Sequence, residues 1–150
     1  MPTKPRLATR SFGDSPHIRQ YAASDFRAVR RTWRLAGLHL SPSDSQRELE
    51  RARERDPDLF LVAEEGRRIV GVVLGRFDGR RGWVNHLAVD PKAQSHGIGS
   101  ALMTELEQRF RDKGCPKLNL HVVATNQQVC AFYEKLGCSK RDLVFMDKWL

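Results

Sequence analysis

The stretch HLAVDPKAQSHGIGSALM, residues 86–103, restricts the fold more than any other part of the chain. An apolar, strand-like run stops at Asp90 and Pro91, polar and small residues follow, and Gly97-Ile98-Gly99 then opens a run with helical spacing. Two glycines remove side chains from a loop that feeds a helix N-terminus. There, unpaired N–H groups and the positive end of the helix dipole favour an anion, each charge interaction being worth roughly 0.3–1 kcal/mol. A pyrophosphate suits such a cradle. The P-loop pattern is absent, and the dinucleotide pattern G-x-G-x-x-G fails at its third glycine, where Leu102 stands. Both of those nucleotide folds are disfavoured, because the strand before the loop also belongs to a hairpin meander rather than a parallel sheet.

That meander occupies residues 59–90, where three β-rich runs are punctuated by Glu65-Gly66 and Asp78-Gly79, both suited to hairpin turns. Glu64 and Glu65 are read as a solvated turn. After the loop, Ile98, Leu102, Leu106 and Phe110 recur every four residues with Ala101 alongside, and Gly114 and Pro116 end the helix. KLNLHVV (117–123) is the next strand, and the strand–helix–strand order predicts a crossover with the two strands parallel. A final helix at 126–137 and a final strand near DLVFMDKWL (142–150) complete this half. On the N-terminal side, HIRQY (17–21) is a short strand, and Ser24 caps a helix running to Gly37 with Phe26, Val29 and Trp33 on its apolar face. Ser41 and Pro42 then open a mostly solvated second helix anchored by Leu49 and Ala52.

A length of 150 residues fits one domain, here 17–150, preceded by a flexible extension at 1–16 rich in basic residues and proline. No apolar run approaches the roughly 20 residues of a membrane span. Cys115, Cys130 and Cys138 are odd in number and form no C-x-x-C pair, so neither a disulfide framework nor a metal site is expected, and the reducing cytoplasm is the natural compartment. The net charge of +8 attracts anions without choosing among nucleic acid, an acidic membrane surface and a phosphorylated cofactor. With no RNP motif, zinc finger or aromatic-interleaved basic stripe, a nucleic-acid partner is not expected, and neither is a membrane.

The segment QSHGIG resembles the Q/R-x-x-G-x-G/A signature of the GNAT acetyltransferase superfamily, and NQQVCAFYEKLGC resembles that family's Asn…Ala-x-x-Tyr-Glu-x-x-Gly segment. Gln94 replaces the more frequent arginine, and Cys138 stands where an aromatic residue is usual. The resemblance implies an α/β fold with a mixed central sheet of six to seven strands and about four helices, splayed where acetyl-coenzyme A binds. It implies that the backbone N–H groups of Gln94, Ser95, His96, Gly97, Ile98, Gly99 and Ser100 cradle the pyrophosphate. It further implies that Leu87, Ala88 and Val89 receive the pantetheine arm as an added strand, with an N–H of Leu87 or Val89 polarising the thioester carbonyl. Asn126 matches the asparagine that reaches the pantetheine amide.

Tyr133 matches the tyrosine that protonates the leaving thiolate. A phenol near pKa 10 gives its proton to a thiol near 8.5 about 2 kcal/mol uphill in water, so hydrogen bonding to sulfur counts as much as full transfer. For the base, His121 occupies a strand position where some members carry a glutamate, and His86 is a second histidine candidate, Asn85 and His86 alternating faces. The implied activity is direct acetyl transfer to a primary amine (a protein N-terminus, a lysine or a small molecule) with acetyl-coenzyme A as cosubstrate and no metal. The alternative is a non-catalytic module that binds acetyl-coenzyme A as sensor or scaffold. Residues 24–58 are expected to set the acceptor, and the chain is expected to be a monomer or homodimer.

Overall fold

The computed structural model describes residues 15–150; the N-terminal extension therefore lies, but for its last two residues, outside the described part. Its strands are β1 (His17–Gln20), β2 (Phe60–Glu65), β3 (Arg68–Phe77), β4 (Gly82–Val89) and β5 (Leu118–Leu120), in that order across one sheet. β1 to β4 are antiparallel, with Gly66 and Gly79 at positive φ in the two hairpins, and β5 is parallel to β4. Helices α1 (Phe26–Leu35) and α2 (Gln46–Arg55) precede the meander, α3 (Ile98–Asp112) crosses between β4 and β5, and α4 (Gln127–Lys135) follows.

The sheet has a core on each face. β2 is buried on both, with Leu61 and Ala63 turned to one cluster and Phe60 and Val62 to the other. On the α3 side, Ile98, Leu102, Leu106 and Phe110 pack as their spacing predicts. They approach so closely that a Cβ on Gly71 or Gly75 would lie 2.7 Å from Ile98 or 2.6 Å from Leu106. On the α1 side, Val29, Trp33 and Leu49 are fully or almost fully buried. Each such apolar side chain removed from water contributes about 1.5–3 kcal/mol.

Two expectations need correction. The final strand near 142–150 does not form, and the sheet has five strands rather than six or seven. β5 spans three residues and offers little edge to pair with, so Leu143, Val144, Met146 and Trp149 stay exposed and only the Phe145 ring rests against His121, centroids 4.5 Å apart. The second helix starts at Gln46, not at Ser41. Ser41 instead caps a short 3-10 turn, Pro42–Asp44, in which Asp44 returns its carboxylate to the Ser41 N–H (2.8 Å) as a capping box, and Ser45 caps α2.

Asp90, which ends β4, is almost fully buried. Its carboxylate accepts from the Lys92 N–H (3.0 Å) and from Arg68 (2.7 Å), and these hold its pKa below the usual carboxylate range. A depressed native pKa contributes stability that is complete above the unfolded value, about 4, and is lost as pH falls through the lower native one. The thermal midpoint is therefore expected to fall steeply below about pH 4. Asp90→Asn should lower the midpoint at pH 7 and flatten that acid dependence; an unchanged slope in melting curves from pH 7 to 2.5 would remove this account.

Candidate active site

Beyond Val84, β4 loses its neighbour: β5 pairs only Leu118–Leu120 with Gly82–Val84, so Asn85–Val89 faces a gap on that side. The sheet opens where the resemblance requires it. Leu87, Ala88 and Val89 line this unpaired stretch, and an extended chain laid there would complete the ladder as an added strand.

A bulge sits at the head of the gap. Val72 pairs with Ala88 and Leu74 with Asn85, so Val73 stands opposite both His86 and Leu87. His86 adopts φ 50°, which a residue with a Cβ takes only where its surroundings enforce it. Those surroundings are visible. The buried Trp33 indole donates to the His86 carbonyl (3.1 Å) and meets the imidazole edge-on, centroids 4.9 Å apart. The His86 Nε2 lies 2.8 Å from Oδ1 of the buried Asp44.

At the far end of β4 the chain turns through Pro91–Ala93 into the glycine loop. The Gln94 side chain donates to the Val89 carbonyl (3.2 Å), fastening the loop to the strand. Ser95 and Gly97 both have positive φ, and Gly97 caps α3 with no side-chain hydrogen bond. Among the described residues, the N–H groups from Ser95 through Ser100 donate to no protein group. Unpaired donors converging on a helix N-terminus fit a polyanion such as a pyrophosphate. The fit at Gly99 is close, since a Cβ there would lie 3.3 Å from the Phe132 ring on α4. His96 sits beside the cradle with Nδ1 3.3 Å from the exposed Glu65, whereas Glu64 is half-buried and paired with Arg19 (2.8 Å) rather than simply solvated.

The remaining positions come from α4 and β5. Asn126 caps α4, its Oδ1 accepting from the Val129 N–H (3.3 Å), which commits the oxygen but leaves the amide N–H₂ available. Tyr133 is buried in the α3-side core, and burial raises its phenol well above the ordinary value. It therefore holds its proton as a hydrogen-bond donor across the physiological range. His121 directly follows β5 on the face that carries Trp83, its ring between those of Trp83 (5.5 Å) and Phe145 (4.5 Å), and no carboxylate approaches it among the described residues. Sequence reasoning missed Asp44. Its only signal was the Ser-x-x-Asp capping spacing, which does not disclose a partner 42 residues away.

The family model for the acetyltransferase (GNAT) family matches residues 22–138, most of the chain and both ends of this site. The chain belongs to the GNAT family. It is 39% identical over 133 residues to an acetyltransferase of Yersinia enterocolitica, covering 89% of this chain and 94% of that protein. To an acetyltransferase of Pectobacterium atrosepticum it is 40% identical with the same coverage. The GNAT fold is shared with the PaiA N-acetyltransferase of Thermoplasma acidophilum in complex with coenzyme A, at TM-score 0.79 and 21% identity over 87% of this chain and 94% of that one. Ard1 from Thermoplasma volcanium gives 0.74 and 24% over 81% of each. This GNAT chain is thus an acetyltransferase by family, with the sheet opening and the glycine loop both in place.

Proposed function

We propose that the chain moves the acetyl group of acetyl-coenzyme A directly to a primary amine, both substrates being bound at once. The observation that carries this reading is the combination of a β4 stretch, Asn85–Val89, left unpaired on its β5 side with an unpaired N–H cradle directly after it. Residues 95–100 hold the pyrophosphate, Gln94 fixes the loop, and Leu87–Val89 align the pantetheine arm, with the Asn126 amide N–H₂ reaching one of its carbonyls. An N–H of Leu87 or Val89 draws charge from the thioester carbonyl as the amine attacks. Tyr133 donates a hydrogen bond to the departing sulfur; its raised pKa makes complete proton transfer less favourable and hydrogen bonding the larger part of its role. Holding both reactants in one slot supplies much of the rate.

The acceptor enters from the α1–α2 side of the sheet, opposite α3 and α4. Solved structures sharing the fold include a ribosomal-protein-S18-alanine N-acetyltransferase and a glucosamine-6-phosphate N-acetyltransferase, which makes a peptide α-amine and an amino sugar the first acceptors to try. Calorimetric titration with acetyl-coenzyme A, followed by thiol release with an alanine-terminated peptide, a polyamine and glucosamine 6-phosphate, tests the reading. Binding with turnover of any amine supports it, binding without turnover favours the sensor alternative, and no binding by folded protein sinks both. Tyr133→Phe should leave acetyl-coenzyme A affinity within about threefold and lower kcat about 10- to 100-fold, the loss expected for one transition-state hydrogen bond. Equal kcat would take Tyr133 out of the chemistry.

A further inference from the structure

The geometry points to His86, oriented by Asp44, as the base that takes the acceptor's proton, an assignment that rests on the transferase reading above. Asp44 is fixed before it meets the histidine. Its Oδ2 accepts from the Ser41 N–H (2.8 Å) and hydroxyl (3.3 Å), leaving Oδ1 for the His86 ring at 2.8 Å. A carboxylate can only accept, so His86 Nε2 carries the proton in the neutral ring and Nδ1 keeps the free lone pair. Trp33 secures the same residue twice, through its carbonyl and along the ring edge. The imidazole thus has one tautomer and one orientation, yet its side chain remains 31% exposed.

Its place matters as much as its bonding. His86 is the residue before Leu87, at the head of the unpaired β4 stretch, on the face of the sheet turned to α1 and the α1–α2 connection. Other titratable or charged groups on that face include Arg76 of β3, held on the Asn85 side chain at 3.1 Å, His121 after β5, the buried Tyr21, and Arg31 of α1, which donates to the Ile69 carbonyl (3.3 Å). Among the described residues, Asp44 is the only charged side chain bonded to His86. In the reaction, the amine nitrogen bonds to the acetyl carbonyl carbon as one proton passes from that nitrogen to Nδ1. The carbon–sulfur bond breaks with its electron pair on sulfur, where Tyr133 meets it, and the imidazolium returns its proton to solvent. Asp44 is a positioning residue; His86 is the catalytic one.

The test measures thiol release at saturating acetyl-coenzyme A, with the best amine of the panel above or with water as acceptor if none is turned over. His86→Gln keeps a donor for Asp44 but no base, and is expected to lower kcat about 10²- to 10⁴-fold with acetyl-coenzyme A affinity unchanged. His86→Gly suits the positive φ, and imidazole added to the buffer should restore its rate. Asp44→Asn should lower kcat by less and leave KM for acetyl-coenzyme A alone, and the Asp44→Asn, His86→Gln double variant should lose no more than His86→Gln. Wild-type turnover in His86→Gln, no imidazole rescue of a folded His86→Gly protein, or the main loss falling on His121→Gln would each overturn the dyad while leaving the transferase reading intact. A parent that binds acetyl-coenzyme A and releases no thiol overturns both.

Discussion

Gly99→Glu is expected to lower acetyl-coenzyme A affinity at least 100-fold while the protein stays folded. The new Cβ meets the end of the Phe132 ring at 3.3 Å, a contact the ring relieves by moving a few tenths of an ångström. Gly99 has no positive φ, so the backbone accepts a side chain there. A carboxylate in the first turn of α3 even favours the helix, since it faces the positive end of the dipole. For a pyrophosphate bound at the same N–H groups it is a like charge, and at 4 Å with an effective dielectric of 20 the repulsion is about 4 kcal/mol. Affinity should fall at least 100-fold, measured by calorimetry beside a melting curve within a few degrees of the parent. Retained affinity in the variant would move the phosphate site away from α3.

Trp33→Ala is expected to destabilise the fold by about 3–5 kcal/mol, the cost of emptying a large aromatic site in a packed core. Trp33 is completely buried and bonds to the carbonyl of the strained His86 residue, so the loss is not confined to volume. Chemical denaturation measures the stability, and Trp33→Phe separates the two parts by keeping most of the volume while giving up the indole N–H. That variant should retain most of the stability yet lose the fixed bulge, lowering kcat more than acetyl-coenzyme A affinity. A stability loss below 1 kcal/mol for Trp33→Ala would show that the α1-side core is not built on this residue.

The residues differ in how openly the sequence displayed them. Gly97 and Gly99 were legible because a backbone that must be approached closely leaves a local mark, and the spacing of Ile98, Leu102, Leu106 and Phe110 marked α3 in the same local way. The hairpins at Gly66 and Gly79 were equally local. Asp44 with His86 was not, since a hydrogen bond across 42 residues leaves no periodicity in either segment. The start of α2 was misplaced because Ser41-Pro42 and Ser45 are both sound caps, and only tertiary packing decides that the first serves a 3-10 turn. For residues 142–150 the apolar composition promised a strand, but a strand needs a neighbour, and the three-residue β5 does not supply one.

The two cores on opposite faces of the sheet divide the molecule's labour. On the proposed reading, donor contacts fall in β4, the glycine loop and α4, while the α1–α2 connection stands over the opposite face from α3. Substitutions in residues 36–43 are therefore expected to change which amine is accepted without retuning the hold on acetyl-coenzyme A. A lineage of such chains is free to explore new acceptors while inheriting its donor intact.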